Sequence, residues 1–226
     1  FQNNREKLPI EELHLGEGLE DEVRVGPNDA ERIKLFEQLN SEIETALSNA
    51  IVTIRIVDKA LDTALLARGL GRPRMEVDGL FDRAIRMAEQ MGSAEQLYSV
   101  KYEKAWTTFF WFEDFKKFIQ LYDELELIAE TSVNIYTLQR QNNLGGLLRA
   151  SREVEPFSSE YVDEKLANLK KWLNEFAIDD TKPSASHQAR MLLALGDLFD
   201  NATQKKDLNE NFKEIGVIFQ SIERMI

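Results

Sequence analysis

The sequence predicts an all-α protein, a helical-repeat array of antiparallel helical hairpins with a long helix at its N-terminal side. Three observations predict it. Apolar residues recur at steps of three and four over most of the chain. The breaks between these stripes are short and polar, with Pro, Gly, Asn, Asp or Ser at each. Outside the first 28 residues no alternating apolar–polar run reaches strand length. Composition agrees: eleven Gly and five Pro in 226 residues are few for a β-fold of tight turns, and 43% apolar with 30% charged residues suits a globular domain.

Residues 1–28 read as an acidic arm or linker. Between Phe1 and Glu22 stand seven acids and two bases, a net charge of −5. Gly26-Pro27-Asn28-Asp29 then signals a helix start, and residues 29–226 read as one all-helical, repeat-like domain. Its first stripe runs Ile33, Phe36, Ile43, Leu47, Ala50, Ile54, Val57, Leu61, Ala64. The stripe fits one helix of about 40 residues, some 60 Å long. It equally fits two helices broken near Asn49, because the β-branched run Ile51-Val52-Thr53-Ile54 is a poor helix former. Gly69-Leu70-Gly71-Arg72-Pro73-Arg74 ends this region.

The next stripe is Val77, Leu80, Phe81, Ala84, Ile85, Ala88, Met91, closed by Gly92. Ser93 caps a helix whose face carries Tyr98, Tyr102, Trp106 and Phe109, and the face through Trp106 is expected in the core. Phe109, Phe110, Trp111 and Phe112 cannot all point inward from one helix, so Trp111 and Phe112 are expected at an exposed contact. A break at Glu113-Asp114 leads to Phe115, Phe118, Ile119, Tyr122, Leu125 and Ile128. Further helices are expected over about 132–152, 159–177, 184–203 and 207–225.

Two of these helices carry a matching pair, Leu144-Gly145 and Leu195-Gly196. In the second, Leu192, Leu195, Gly196 and Phe199 have the spacing of a helix whose small residue lets a partner approach, and the partner carries Phe212, Ile215, Gly216, Phe219 and Ile222. Over about residues 76–226 the chain resembles a degenerate tetratricopeptide-repeat array. It departs from that pattern at Trp106, Phe118 and Ile215, where the family has small residues, and in the spacing of its Leu-Gly pairs. The resemblance implies a scaffold that binds a protein or peptide.

Forty acids against 28 bases give a net charge of −12, which disfavours nucleic acid and anionic membranes as partners. No stretch is long and apolar enough for a transmembrane helix. The absence of cysteine excludes disulfides and thiolate chemistry, and a cytoplasmic location is expected. A start at Phe1 without Met reads as a piece of a larger protein.

No cofactor or metal site is expected. Glu11-x-x-His14 has di-metal carboxylate spacing, but His187 has Ser184 where a second copy would need an acid. The pairs Asp58/Asp62 and Asp78/Asp82 each share one helix face and read as solvated. No nucleophile elbow or phosphate-binding glycine loop is present. Arg68, Arg72, Arg74, Arg83 and Arg86 form a basic patch within an acidic chain. Gly71-Arg72-Pro73 resembles the core of an AT-hook, with Leu70 where that motif is basic. The loop is expected to pair with a neighbouring helix or an acidic partner.

The expected function is therefore a non-catalytic interaction or regulatory module of a larger protein. Its partner is a protein or peptide, acidic in character, or another domain of its own chain, and the partner-binding candidates are Arg72, Arg74, Trp111 and Phe112. The alternatives are an all-α ligand-binding or metal-dependent enzyme domain built on clustered carboxylates, and an oligomerisation segment at residues 29–68.

Overall fold

The computed structural model describes residues 29–152 and 154–223. The arm, with Glu11 and His14, lies outside the described residues. Those residues form nine α-helices and no strand: α1 Asp29–Ser48, α2 Ile54–Gly69, α3 Arg74–Met91, α4 Ala94–Phe110, α5 Phe115–Glu130, α6 Ile135–Ala150, α7 Ser159–Ala177, α8 Pro183–Thr203 and α9 Asn209–Glu223. Helices pack on their chain neighbours, as an array of hairpins requires. The chain divides at Thr107/Thr108 into two compact units.

In the first unit, the stripe from Ile33 to Ala64 belongs to two helices. Ala50 takes a left-handed φ of 54°, the Ile51 N–H donates to the Ala46 carbonyl at 2.8 Å, and the Ala50 N–H donates to the Leu47 carbonyl at 3.0 Å. This six-to-one, five-to-two pairing closes α1 and lets Ile51, Val52 and Thr53 leave the helix. α2 ends the same way: Gly71 at φ 67° bonds to the Arg68 carbonyl, and the Arg72 N–H bonds to the Ala67 carbonyl. Here glycine fits the left-handed position without steric cost.

The inner face of α2 is Val57, Ala60, Ala64 and Ala67, all at most 1% exposed, and these small side chains admit α1 and α3 closely. Gly92 closes α3, and an added Cβ there would stand 2.6 Å from the Ala88 carbonyl oxygen. Ser93 opens α4 as a reciprocal cap, its hydroxyl accepting from the Gln96 N–H at 3.1 Å and its own N–H donating to the Gln96 side chain at 3.3 Å.

Not all of the expected aromatic face of α4 is core. Tyr98 is buried, but Tyr102 and Trp106 are half-buried and stack with ring centres 6.0 Å apart. The buried side of α4 includes Lys104, Ala105 and Thr107, because Lys104 reaches Asp82 of α3 at 2.5 Å and Arg68 of α2 bonds Thr107 at 2.9 Å.

The second unit begins with the last residues of α4. Phe109 meets Phe110, Phe115 and Phe118 at ring-centre distances of 5.0, 5.2 and 5.0 Å, and Phe157 joins the cluster beside Phe115 at 5.7 Å. Asp114, Asn134 and Ser158 cap α5, α6 and α7 by accepting from backbone N–H groups of the first turn. α6 contacts both α7 and α8, so consecutive hairpins share a surface.

Gly145 is a point of close approach. A Cβ there would stand 3.2 Å from a Leu169 methyl and 3.3 Å from a Leu166 methyl of α7. A Cβ at Gly196 would stand 3.5 Å from Arg149 of α6, and among the described residues nothing of α9 lies within 4 Å of it. Phe199, Phe212 and Phe219 are exposed, whereas Asn211 and Ile218 are buried. Of the predicted face, Ile215 and Gly216 stay half-buried while Phe212 and Phe219 turn outward, so the buried side of α9 is rotated toward Asn211 and Ile218. An amide–amide hydrogen bond from Asn201 of α8 to Asn211, 3.1 Å long, holds that orientation.

Candidate interaction surface

Arg72 belongs to the α2–α3 connection of the first unit and Arg74 opens α3, whereas Trp111 and Phe112 belong to the α4–α5 connection of the second. The helix-ending turn at Gly71 places Arg72 over the ring of Phe36 on α1, with its guanidinium carbon 5.2 Å from the ring centre. The Arg72 Nε is buried and has no hydrogen-bond partner among the described residues. No carboxylate pairs with Arg72 among the described residues. Arg74 is more exposed and reaches Asp78 one turn on at 3.4 Å. Next to it Met75 is 88% exposed.

Two other arginines of the patch, Arg68 and Arg83, are engaged, and Arg86 is exposed. Arg68 pairs with Glu103 at 3.3 Å, and Arg83 bonds Glu44 at 2.8 Å and Asn40 at 2.6 Å. These links join α2 to α4 and α3 to α1, so Arg68 and Arg83 serve the packing of the unit. Arg32, one turn into α1, pairs with Asp29 at 3.3 Å and lies over Gly69, where an added Cβ would push its guanidinium aside. The start of α1 and the Gly69–Arg74 turn therefore lie at the same end of the unit.

Trp111 is 46% exposed and Phe112 half-buried, in the turn just before the Asp114 cap. Trp111 therefore presents part of its indole at the surface, and Phe112 less of its ring.

Two features went unnoticed in the sequence. The first is an open groove of about 420 Å³ between α1 and α2, lined by Glu42, Thr45, Ala46, Ile51, Ile56 and Lys59 among others. It exists because the chain breaks after Ser48. Lys59 donates to Glu42 across it and holds that carboxyl below the usual carboxylate range.

The second is a polar cluster in the second unit. Lys165 of α7 contacts Glu126 at 2.5 Å and Asp123 at 2.9 Å, both on α5. Asn168 donates to Glu126 at 3.0 Å, and the Tyr161 hydroxyl donates to Asp123 at 3.0 Å. Burial opposes the lysine's charge, but hydrogen bonds to the two carboxylates outweigh it and raise Lys165 above its ordinary value. Burial first, then the nearby acids, push Tyr161 well above the usual phenol range. Tyr122, sealed beside Gln141, is pushed the same way by burial. Each group is thereby held in its ordinary state at neutral pH, with lysine protonated and tyrosines neutral. Such tuning runs opposite to what a general base needs.

The acid pairs are mostly spoken for. Asp82 pairs with Lys104, Asp78 with Arg74, and Asp58 accepts from Gln96 at 2.7 Å. Asp62 is raised by burial and by Asp58. His187 donates from its ring to the Pro183 carbonyl at 2.7 Å. Among the described residues no three His, Cys, Asp or Glu side chains group to hold a metal ion, and no helix is long and apolar enough to cross a membrane.

No family model, curated protein or solved structure matches this chain.

Proposed function

We propose that the chain is a non-catalytic protein-interaction module of tetratricopeptide-like helical hairpins, and that it recognises an acidic protein or peptide segment at the Arg72–Met75 turn. One observation carries this reading. Arg72 is held in place on Phe36 yet has no carboxylate partner among the described residues, on a chain of net charge −12. Its ordered side chain has less freedom to lose on binding than a mobile lysine has. Arg74 supplies a second, exposed guanidinium, and Met75 an apolar contact beside them. Trp111 is the counterpart in the second unit, a partly exposed aromatic anchor.

The test is quantitative affinity capture on the immobilised chain, with Arg72→Ala/Arg74→Ala and Trp111→Ala/Phe112→Ala variants in parallel. The reading expects a protein captured by the parent chain and depleted at least tenfold in the arginine variant. That ratio corresponds to about 1.4 kcal/mol of binding. Equal capture by the arginine variant defeats it.

A further inference from the structure

Three surfaces stand apart from the Arg72–Met75 turn: the exposed phenylalanines of α9, the exposed Val133, Tyr136 and Ile178 at one end of the second unit, and the groove between α1 and α2. The first two have nothing to identify an occupant. The groove differs, because the same face of the chain carries a side chain able to fill it.

We propose that a second copy of this chain docks on the first unit, α1–α2 face against α1–α2 face, with Leu35 of each copy seated in the groove of the other. The groove holds about 420 Å³ and is walled by Thr45 and Ala46 of α1, Ile51 and Thr53 of the connection, and Ile56 of α2. It opens where the chain leaves the helix at Ala50 and re-enters one at Ile54. Leu35 stands seven residues before Glu42, another lining residue, and so projects from the same side of α1. It is 44% exposed.

Leu35 and Thr45 are ten residues apart, about 15 Å along α1. Two antiparallel copies of α1, related by a two-fold axis midway between these positions, put each Leu35 beside the partner's Thr45. The contact is isologous: each copy offers one knob and one groove, and both are used. Gln38 and Glu42 lie about the axis. Within one copy the Gln38 amide donates to Glu42 at 2.9 Å, and across the axis each Gln38 faces the partner's Glu42.

Charge permits contact here on a chain of net −12. Glu42 and Lys59 bridge the groove, and exposed Arg55 and Asp62 flank it on α2, so these charges balance and repulsion is not concentrated on this face. Size sets the strength. α2 has 16 residues, about 24 Å, and two helices side by side are about 20 Å wide. Docking two such faces hides on the order of 1,000 Å² in total, the size of a transient rather than a permanent contact. A reversible dimer with a Kd between about 10 µM and 1 mM follows. It does not depend on the recognition role proposed for Arg72 and Arg74.

Sedimentation equilibrium of the full-length chain over that concentration range is the test. The parent chain is expected to pass from monomer to dimer. Leu35→Gln removes the knob and Thr45→Arg blocks the groove; both positions are exposed, and circular dichroism checks that each variant keeps its helix content. Each substitution is expected to raise Kd at least about tenfold. Phe219→Gln on α9 is the control and is expected to leave Kd unchanged. A parent chain that stays monomeric at about 1 mM overturns the inference. So does a dimer that survives Leu35→Gln or Thr45→Arg, a dimer lost in Phe219→Gln, or growth beyond the dimer, because association then runs through another surface.

Discussion

Two adjacent glycines of α6 have opposite surroundings, and substituting them tests the hairpin packing directly. A Cβ at Gly146 meets nothing within 4 Å, whereas one at Gly145 stands 3.2 and 3.3 Å from two leucine methyls of α7. Glycine inside a helix costs about 0.5–1 kcal/mol relative to alanine, so Gly146→Ala gains about that much. Gly145→Val places two further methyls in a seam where Leu169 is 3% exposed. Overpacking of this kind costs about 1–3 kcal/mol, only slightly offset by the better helix propensity of valine. At about 4 °C per kcal/mol for a unit of this size, the two melting temperatures separate by roughly 4–14 °C in opposite directions from the parent once that offset is included. Thermal unfolding followed by circular dichroism reads this. If both variants melt above the parent, α6 and α7 do not approach at Gly145, and the packing described for this hairpin is wrong.

Other consequences follow from the same geometry. Ala50 and Lys205 hold left-handed helix-closing positions at φ 54°; Ala50→Gly and Lys205→Gly should each stabilise by about 0.5–1 kcal/mol, read as an upward shift in denaturant midpoint. Ile218→Ala should cost about 2 kcal/mol or more, whereas exposed Phe219→Gln should stay within about 0.5 kcal/mol; the reverse order would restore the predicted register of α9. Lys165→Met leaves Glu126 and Asp123 without their cation and should cost roughly 1–3 kcal/mol, between the values for exposed and buried pairs. The alkaline limb has a definite sign. Lys165, Tyr122 and Tyr161 are all raised above ordinary values of 10.5, 10.0 and 10.0, so the folded chain binds more protons than the unfolded one above about pH 10. Stability should fall as pH rises through that range, and Tyr161→Phe should make the fall shallower in pH-dependent denaturant titrations.

Local punctuation made most helix boundaries legible. Ser93, Asp114 and Ser158 do what their position predicts, each accepting a backbone N–H of the turn that follows, and α7 spans Ser159–Ala177 as read. The interruption after Ser48 was ambiguous because apolar residues continue at helical spacing through the left-handed Ala50. Periodicity reports which residues are apolar, and a single left-handed residue leaves that record intact.

The rotation of α9 was hidden for a related reason. Phe212 and Phe219 form the more apolar line, but the helix turns Asn211 and Ile218 inward, guided by an amide contact with Asn201. Such a partner on another helix has no local signature. The Lys165 cluster is the same case: its members come from α5 and α7, 38 to 42 positions apart. Arg72 and Trp111 were legible as surface candidates because arginine beside a helix-ending glycine, and crowded aromatics at a helix end, each leave more side chains than one face can bury.

We propose above all that Arg72 and Arg74 form a recognition surface for an acidic partner. The most direct measurement is capture by the full-length chain and by its Arg72→Ala/Arg74→Ala variant, read by quantitative mass spectrometry at matched folding and loading. The account predicts a partner depleted at least about tenfold in the variant. A partner captured equally by both chains would contradict it.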